Sequence, residues 1–153
     1  TEQEAHYLYL GKGNTRDADP GVRYIKMHGR KIYEFALTKV PQAMKSCLDK
    51  AGVDIHEVKK VLIHQANEKM DQAIISRLGT LYGMESVPTD IMPMTIGWTG
   101  NSSVATIPTM LDLILKEDPR MEGHRIGPGD NVVFASVGAG MNINSMIYRM
   151  PEL

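Results

Sequence analysis

Among 153 residues there is a single cysteine, Cys47. No internal disulfide can form, and the composition suits a reducing compartment, so a cytoplasmic location is expected. Excess charge of either sign is also missing. Seventeen basic residues against eighteen acidic leave a net charge of −1. That balance gives no overall pull toward nucleic acid, although a local basic patch stays open. No apolar run approaches the roughly 20 residues of a membrane helix, so no membrane partner is expected. The opening Thr1-Glu2-Gln3-Glu4-Ala5 is acidic and polar where a signal peptide needs basic and then apolar residues. An initiator methionine is absent, which leads us to expect a piece of a longer protein, with N-terminal trimming as the other explanation. His6, His28, His56, His64 and His124 show no zinc-ligand spacing with the lone cysteine, so neither a metal nor a cofactor is expected. Internal repeats and low-complexity tracts are lacking as well.

What is present is enough apolar matter, 42% of residues, for one domain with a real core. Eleven methionines read as adaptable core filler. Ala5–Leu10 reads as a short strand, followed by a Gly-, Asn-, Asp- and Pro-rich linker from Gly11 to Gly21 and a second extended piece over Arg23–Met27. From Lys31 to Lys50, Ile32, Phe35, Ala36, Val40, Met44, Cys47 and Leu48 recur at helical spacing. Pro41 should kink that helix, since it cannot donate to the carbonyl of Leu37, and Gly52 should cap it. Val58–Ile63 is a compact strand running into His64. Asn67 is a good N-cap for a helix over Glu68–Leu78, with Gly79 as its terminator. A further helix is expected from Val104 to Lys116, with Val104, Ile107, Leu111 and Leu115 on one face and Pro108 distorting its first turns. After the turn Gly127-Pro128-Gly129-Asp130, the strands Asn131–Val137 and Asn142–Arg149 should form an antiparallel pair around Gly138-Ala139-Gly140.

Strands alternating with helices indicate an α/β architecture: a mixed, mostly parallel sheet with helices packed on its faces and a final antiparallel strand. The whole chain, 1–153, is read as one domain, with 1–28 an entry strand and linker and 29–150 the core. In such sheets functional groups gather beyond the carboxyl ends of strands, where His64 and Gly138–Gly140 both fall.

Three short signals stand out, each with a plain structural alternative. His64, in Val61-Leu62-Ile63-His64-Gln65-Ala66-Asn67, is held at a sheet edge, but a lone histidine there is more often a satisfied core residue. Gly100-Asn101-Ser102-Ser103 offers a neutral amide donor beside a close-approach glycine, but Asn-Ser is also a common helix cap. Gly138-Ala139-Gly140-Met141 fits an ordinary hairpin turn equally well.

Together and in this order the three signals resemble the C-terminal half of β-ketoacyl-[acyl carrier protein] synthase III, a thiolase-like condensing enzyme. The resemblance covers nearly the whole chain. It is carried by His64-Gln65-Ala66-Asn67, Gly100-Asn101-Ser102-Ser103, the Gly138–Gly140 loop and Met27-His28-Gly29. It implies decarboxylative Claisen condensation of an acyl thioester, loaded from acyl-CoA, with malonyl-acyl carrier protein in fatty acid biosynthesis. The acyltransferase's nucleophilic cysteine then lies in an N-terminal half outside this chain, and Cys47, on a core-facing helix position, is not its substitute. The resemblance makes His64 and Asn101 the pair that stabilises the malonyl enolate by hydrogen bonding, with His64 neutral and donating. It gives the backbone amide of Ala139 to the acyl-thioester oxyanion hole.

The same resemblance brings Asn67, Met27, Gly29 and Tyr33 to the pantetheine tunnel, although Tyr33 reads as well as a core-helix residue. It points Lys69 and Arg77 at the acidic carrier protein, although exposed cations on a helix are usually just solvated. The implied partners are acyl carrier protein, the chain's own N-terminal half and a second copy in a homodimer. Three departures are visible. Val137 stands where the family commonly has phenylalanine beside the acyl channel, which leaves the acyl chain length open. Ala139 replaces the middle of three glycines, and the segment between His64 and Asn101 is longer than usual. The alternatives are a sister condensing enzyme with specialised lipid or polyketide substrates, or a non-catalytic binding or dimerisation module.

Overall fold

The computed structural model describes residues 4–152. Its centre is a three-stranded sheet in the order β3 (Val58–Ile63), β4 (Asn131–Gly138), β5 (Asn142–Arg149). β3 and β4 run parallel, pairing Val61 with Val133 and Ile63 with Ala135. β4 and β5 are antiparallel along their whole length, from Asn131 opposite Arg149 to Gly138 opposite Asn142. The sheet is mixed and ends on an antiparallel strand, as expected. Parallel pairing among the described residues is the single β3–β4 ladder, so it does not predominate.

Strand alternation sends side chains to two cores. Val61, Ile63, Val133 and Ala135 meet α1 (Gly29–Ala51) and α2 (Glu68–Leu81) on one face. Leu62 and Val132 meet Met110 and Ile114 of α4 (Thr106–Leu115) on the other. Helices on both faces explain why β3 is almost continuously buried. Lys60, the second of two lysines in β3, is 1% exposed and reaches Asp90, whose carboxylate lies 3.1 Å from its Nζ.

Several expectations need correction. Ala5–Leu10 is not one strand: a 3₁₀ turn over Glu4–Tyr7 precedes β1 (Leu8–Gly11), which pairs antiparallel with β2 (Tyr24–Met27) in a separate hairpin. The helix expected over Lys31–Lys50 is longer, α1 running from Gly29 to Ala51 with buried Pro41 inside it. Gly52 caps it at φ 65°, where a side chain would be strained. Gly79 does not end α2. The helix continues to Leu81, and Gly79 is buried where a Cβ would run into Val87.

α4 keeps only the middle of its expected face, Ile107 and Leu111, against the second core. A 3₁₀ turn over Ser103–Ala105 precedes it, in keeping with the distortion expected near Pro108. Thr106, Met110 and Ile114 are the residues it buries, whereas Val104 is 91% exposed and Leu115 51%. α4 is apolar nearly all round, so periodicity alone could not say which side the sheet would take.

Candidate active site

Because β3 and β4 are parallel, their carboxyl ends open at the same edge. His64 follows β3 directly, and its backbone N–H extends the ladder by donating to the carbonyl of Ala135 at 3.1 Å. The imidazole is half-buried. Its Nδ1 lies 3.1 Å from the carbonyl of Ser103. A carbonyl can only accept, so this contact puts the ring proton on Nδ1. Burial lowers the pKa of His64 below the ordinary histidine value, and the Ser103 carbonyl opposes that only in part. The neutral ring therefore has Nε2 as an acceptor. With this bond, Nε2 donates only once the ring has gained a proton.

Asn101 is supplied by a separate loop. The single helical turn α3 (Ile96–Thr99) ends at Gly100, whose φ of 67° lets the chain reverse. Asn101 Oδ1 accepts from the N–H of Ser103 at 2.9 Å, which orients Nδ2 as the outward donor. Ser103 thus holds both side chains, His64 through its carbonyl and Asn101 through its amide. It does so at a positive φ of 53°, and Thr106 Oγ1 adds a 3.0 Å bond to the same carbonyl. Two residues far apart in sequence are joined by one backbone unit.

The other expected residues fall as follows. Ala139 lies in the 3₁₀ turn Ala139–Met141 between β4 and β5, its carbonyl accepting from Asn142 Nδ2 at 3.2 Å. Val137, near the end of β4, is half-buried and packs against the α1-side core. Asn67 caps α2, its Oδ1 accepting from Met70 N–H at 3.2 Å. Met27 ends β2 opposite Leu8 and is 64% exposed. Its hairpin lies against the Ala139–Met141 turn, which puts Met27 on the same side of the molecule as that loop. Gly29 opens α1, and Tyr33, one turn later, is 40% exposed, so its ring is not the core contact its helical position equally allowed. Lys69 and Arg77 are both exposed on α2. Cys47 is half-buried under the sheet, with Sγ 3.5 Å from the carbonyl of Ser145 on β5.

The residue that the sequence reading passed over is Gln65. It is fully buried, and its side chain bonds to the segment leading into α3. A lone amide directly after a strand of buried aliphatics was the available signal, since such a group must find partners inside. Arg120, paired with Asp118, also stacks on Trp98 of α3 at 4.3 Å, bracing the same turn from outside.

A histidine and an asparagine-bearing turn at the carboxyl edge of a mixed sheet, helices on both faces, define half of a thiolase-like fold. The β-ketoacyl synthase III from Thermus thermophilus superposes over 100% of this chain and 44% of its own, with TM-score 0.79 at 24% identity. The priming β-ketosynthase of the R1128 polyketide pathway does so over 99% of this chain and 43% of its own, with TM-score 0.79 at 21% identity. Residues 48–150 match the family described as 3-oxoacyl-[acyl-carrier-protein] synthase III, C terminal, and the chain belongs to that family. Among curated relatives, β-ketoacyl-[acyl-carrier-protein] synthase III of Thermosynechococcus vestitus is 34% identical over 89% of this chain. That of Porphyra umbilicalis is 36% identical over 85%. The chain spans 37% and 36% of these relatives' lengths.

Proposed function

We propose that this chain is the malonyl-handling half of a decarboxylating condensing enzyme of fatty acid synthesis, working on acyl and malonyl thioesters with an acyl carrier protein. The observation that carries the reading is the Ser103 bridge, which binds His64 through its carbonyl and Asn101 through its N–H and so ties the two motifs together. Loss of carbon dioxide from a malonyl thioester leaves an enolate, and Asn101 Nδ2 is a standing donor for its oxygen. His64 Nε2 joins it once the ring has taken a proton from solvent, an event the developing negative charge favours. When the new carbon–carbon bond closes, the acyl-bearing cysteine departs as thiolate and needs one proton, which the imidazolium can return. Asn67, Met27, Gly29 and Tyr33 are assigned to the pantetheine arm, Val137 to the acyl channel, the Ala139 amide to the acyl oxygen, and Lys69 and Arg77 to the acidic carrier.

The nucleophile belongs to the part of the enzyme this chain does not span, since Cys47 lies under the sheet with its thiol on Ser145. That part is proposed to cover the exposed Val104, before α4, and Leu115, at its end. The working enzyme is proposed as a cytoplasmic homodimer. In the complete enzyme, His64→Ala and Asn101→Ala should each leave acyl loading largely intact and slow malonyl decarboxylation by about 10²–10³. The double mutant should lose less than the product of the two, because both donors address one oxygen. Equal losses in loading and decarboxylation would mean that the two residues only hold the fold.

A further inference from the structure

Gln65 makes all but one of its hydrogen bonds to a single segment, the approach to α3, and the remaining one to α4. Its Oε1 accepts from Thr95 N–H at 2.8 Å, Thr95 Oγ1 at 3.1 Å and Ile96 N–H at 3.0 Å. Its Nε2 donates to the Pro93 carbonyl at 2.7 Å and touches Met110 Sδ at 3.3 Å. Thr95 is itself 2% exposed, so these bonds are made without water. The two backbone N–H groups it satisfies open α3, whose single turn ends at Gly100 and delivers Asn101.

The chain neighbour of Gln65 is His64, locked to β4 through the Ala135 carbonyl. Two routes therefore join the imidazole to the Asn101 amide. One passes through Ser103, the other through Gln65, Thr95 and α3, and together they close a ring. A ring of this kind leaves little freedom in the spacing of the two donors. Without Gln65 the Ser103 route remains, but it ends in an exposed loop held at positive φ.

We propose that Gln65 is a positioning residue for the condensation step, holding Asn101 in register with His64 while touching no substrate itself. The proposal rests on the reading of His64 and Asn101 as the malonyl pair. Its physical basis is that donors aimed at a developing charge lose about 10²-fold in rate for a displacement near 1 Å.

The test uses the complete enzyme with Gln65→Met, which keeps volume and removes the bonds, and Thr95→Val, which removes only the hydroxyl bond. Each is made alone and on Asn101→Ala, and acyl loading is measured separately from malonyl decarboxylation. Gln65→Met should lower the kcat of decarboxylation by roughly 10–100-fold with KM little changed and loading retained. Thr95→Val should act the same way by a few-fold. On Asn101→Ala neither change should cost anything further, since the group they position is gone. Parallel loss of loading and decarboxylation, or losses that multiply on the Asn101→Ala background, would overturn the proposal. If Gln65→Met does not fold, Thr95→Val decides, and unchanged decarboxylation in it counts against the role. If Asn101→Ala alone leaves decarboxylation unchanged, the failure is that of the site reading and this proposal falls with it.

Discussion

Replacing Asp71 by asparagine should make the protein more stable at pH 8 while changing little near pH 4. Asp71 is fully buried on the inner face of α2, among Met70, Ile74, Ile75 and Leu78, and neither carboxylate oxygen has a partner of good geometry among the described residues. Burial raises its pKa from 3.8 to about 7. The nearby backbone of Asn67 offsets part of this, and the carboxylate of Glu68 adds to it. A folded-state value above the unfolded one means the folded chain holds its proton longer. Stability is then whole below about 4, falls by about 1.4 kcal/mol per pH unit through the interval, and levels off above 7. The full drop is on the order of 4 kcal/mol, a large share of a typical domain's stability. Asparagine keeps the shape and cannot ionise. His64 and His124, both with lowered pKa values, pull the opposite way because they resist charging as pH falls. The difference between wild type and Asp71→Asn cancels them. Urea denaturation of both proteins from pH 4.5 to 8.5 reads it directly, and a difference that stays flat between pH 5 and 7 would refute the argument.

Gly79→Ala should destabilise by about 1–3 kcal/mol despite alanine's better helix propensity, because the added methyl meets the stiff Val87 side chain. Val87→Ala should recover part of the loss, and a thermal melt of the single mutant rising above wild type would contradict this packing. The exposed Val104, in the turn before α4, and Leu115, at the end of α4, should make the chain self-associate when its complementary part is absent. Val104→Lys with Leu115→Lys should shift sedimentation toward monomer, whereas unchanged association would place the sticky surface elsewhere.

The elements whose sequence carries strong local punctuation were legible in advance. β3, the β4–β5 pair and α1 with its Gly52 cap came out within a residue or two, because aliphatic runs and turn residues fix them locally. The errors lie where a local rule met a tertiary contact. Gly79 looks like a helix stop, yet the reason for glycine is the approach of Val87 from a loop that spacing does not reveal. Val104 and Leu115 fit an apolar stripe whose middle members, Ile107 and Leu111, pack against the core while these two ends stay exposed. His64 and Asn101 could be named from their motifs. Their joint attachment to Ser103, and the tautomer this imposes, could not, because both depend on a backbone carbonyl that no side-chain pattern encodes. Asp71 sits at an inward helical position that its residue type argues against, so only burial identifies it.

The parallel pairing of β3 with β4 also bears on the order in which the molecule assembles. α1 and the β4–β5 ribbon close between residues near one another in the chain, contacts that form early because little chain entropy is lost in making them. Ile63 meets Ala135 only after α2, α3 and α4 have been drawn in between. The edge that carries His64 is therefore completed by the most distant contact in the sheet. A polypeptide emerging from the ribosome holds its histidine ready long before β4 arrives to anchor it. Until that strand is made, the backbone of His64 lacks its bond to Ala135, and only the Ser103 carbonyl is there to orient the ring.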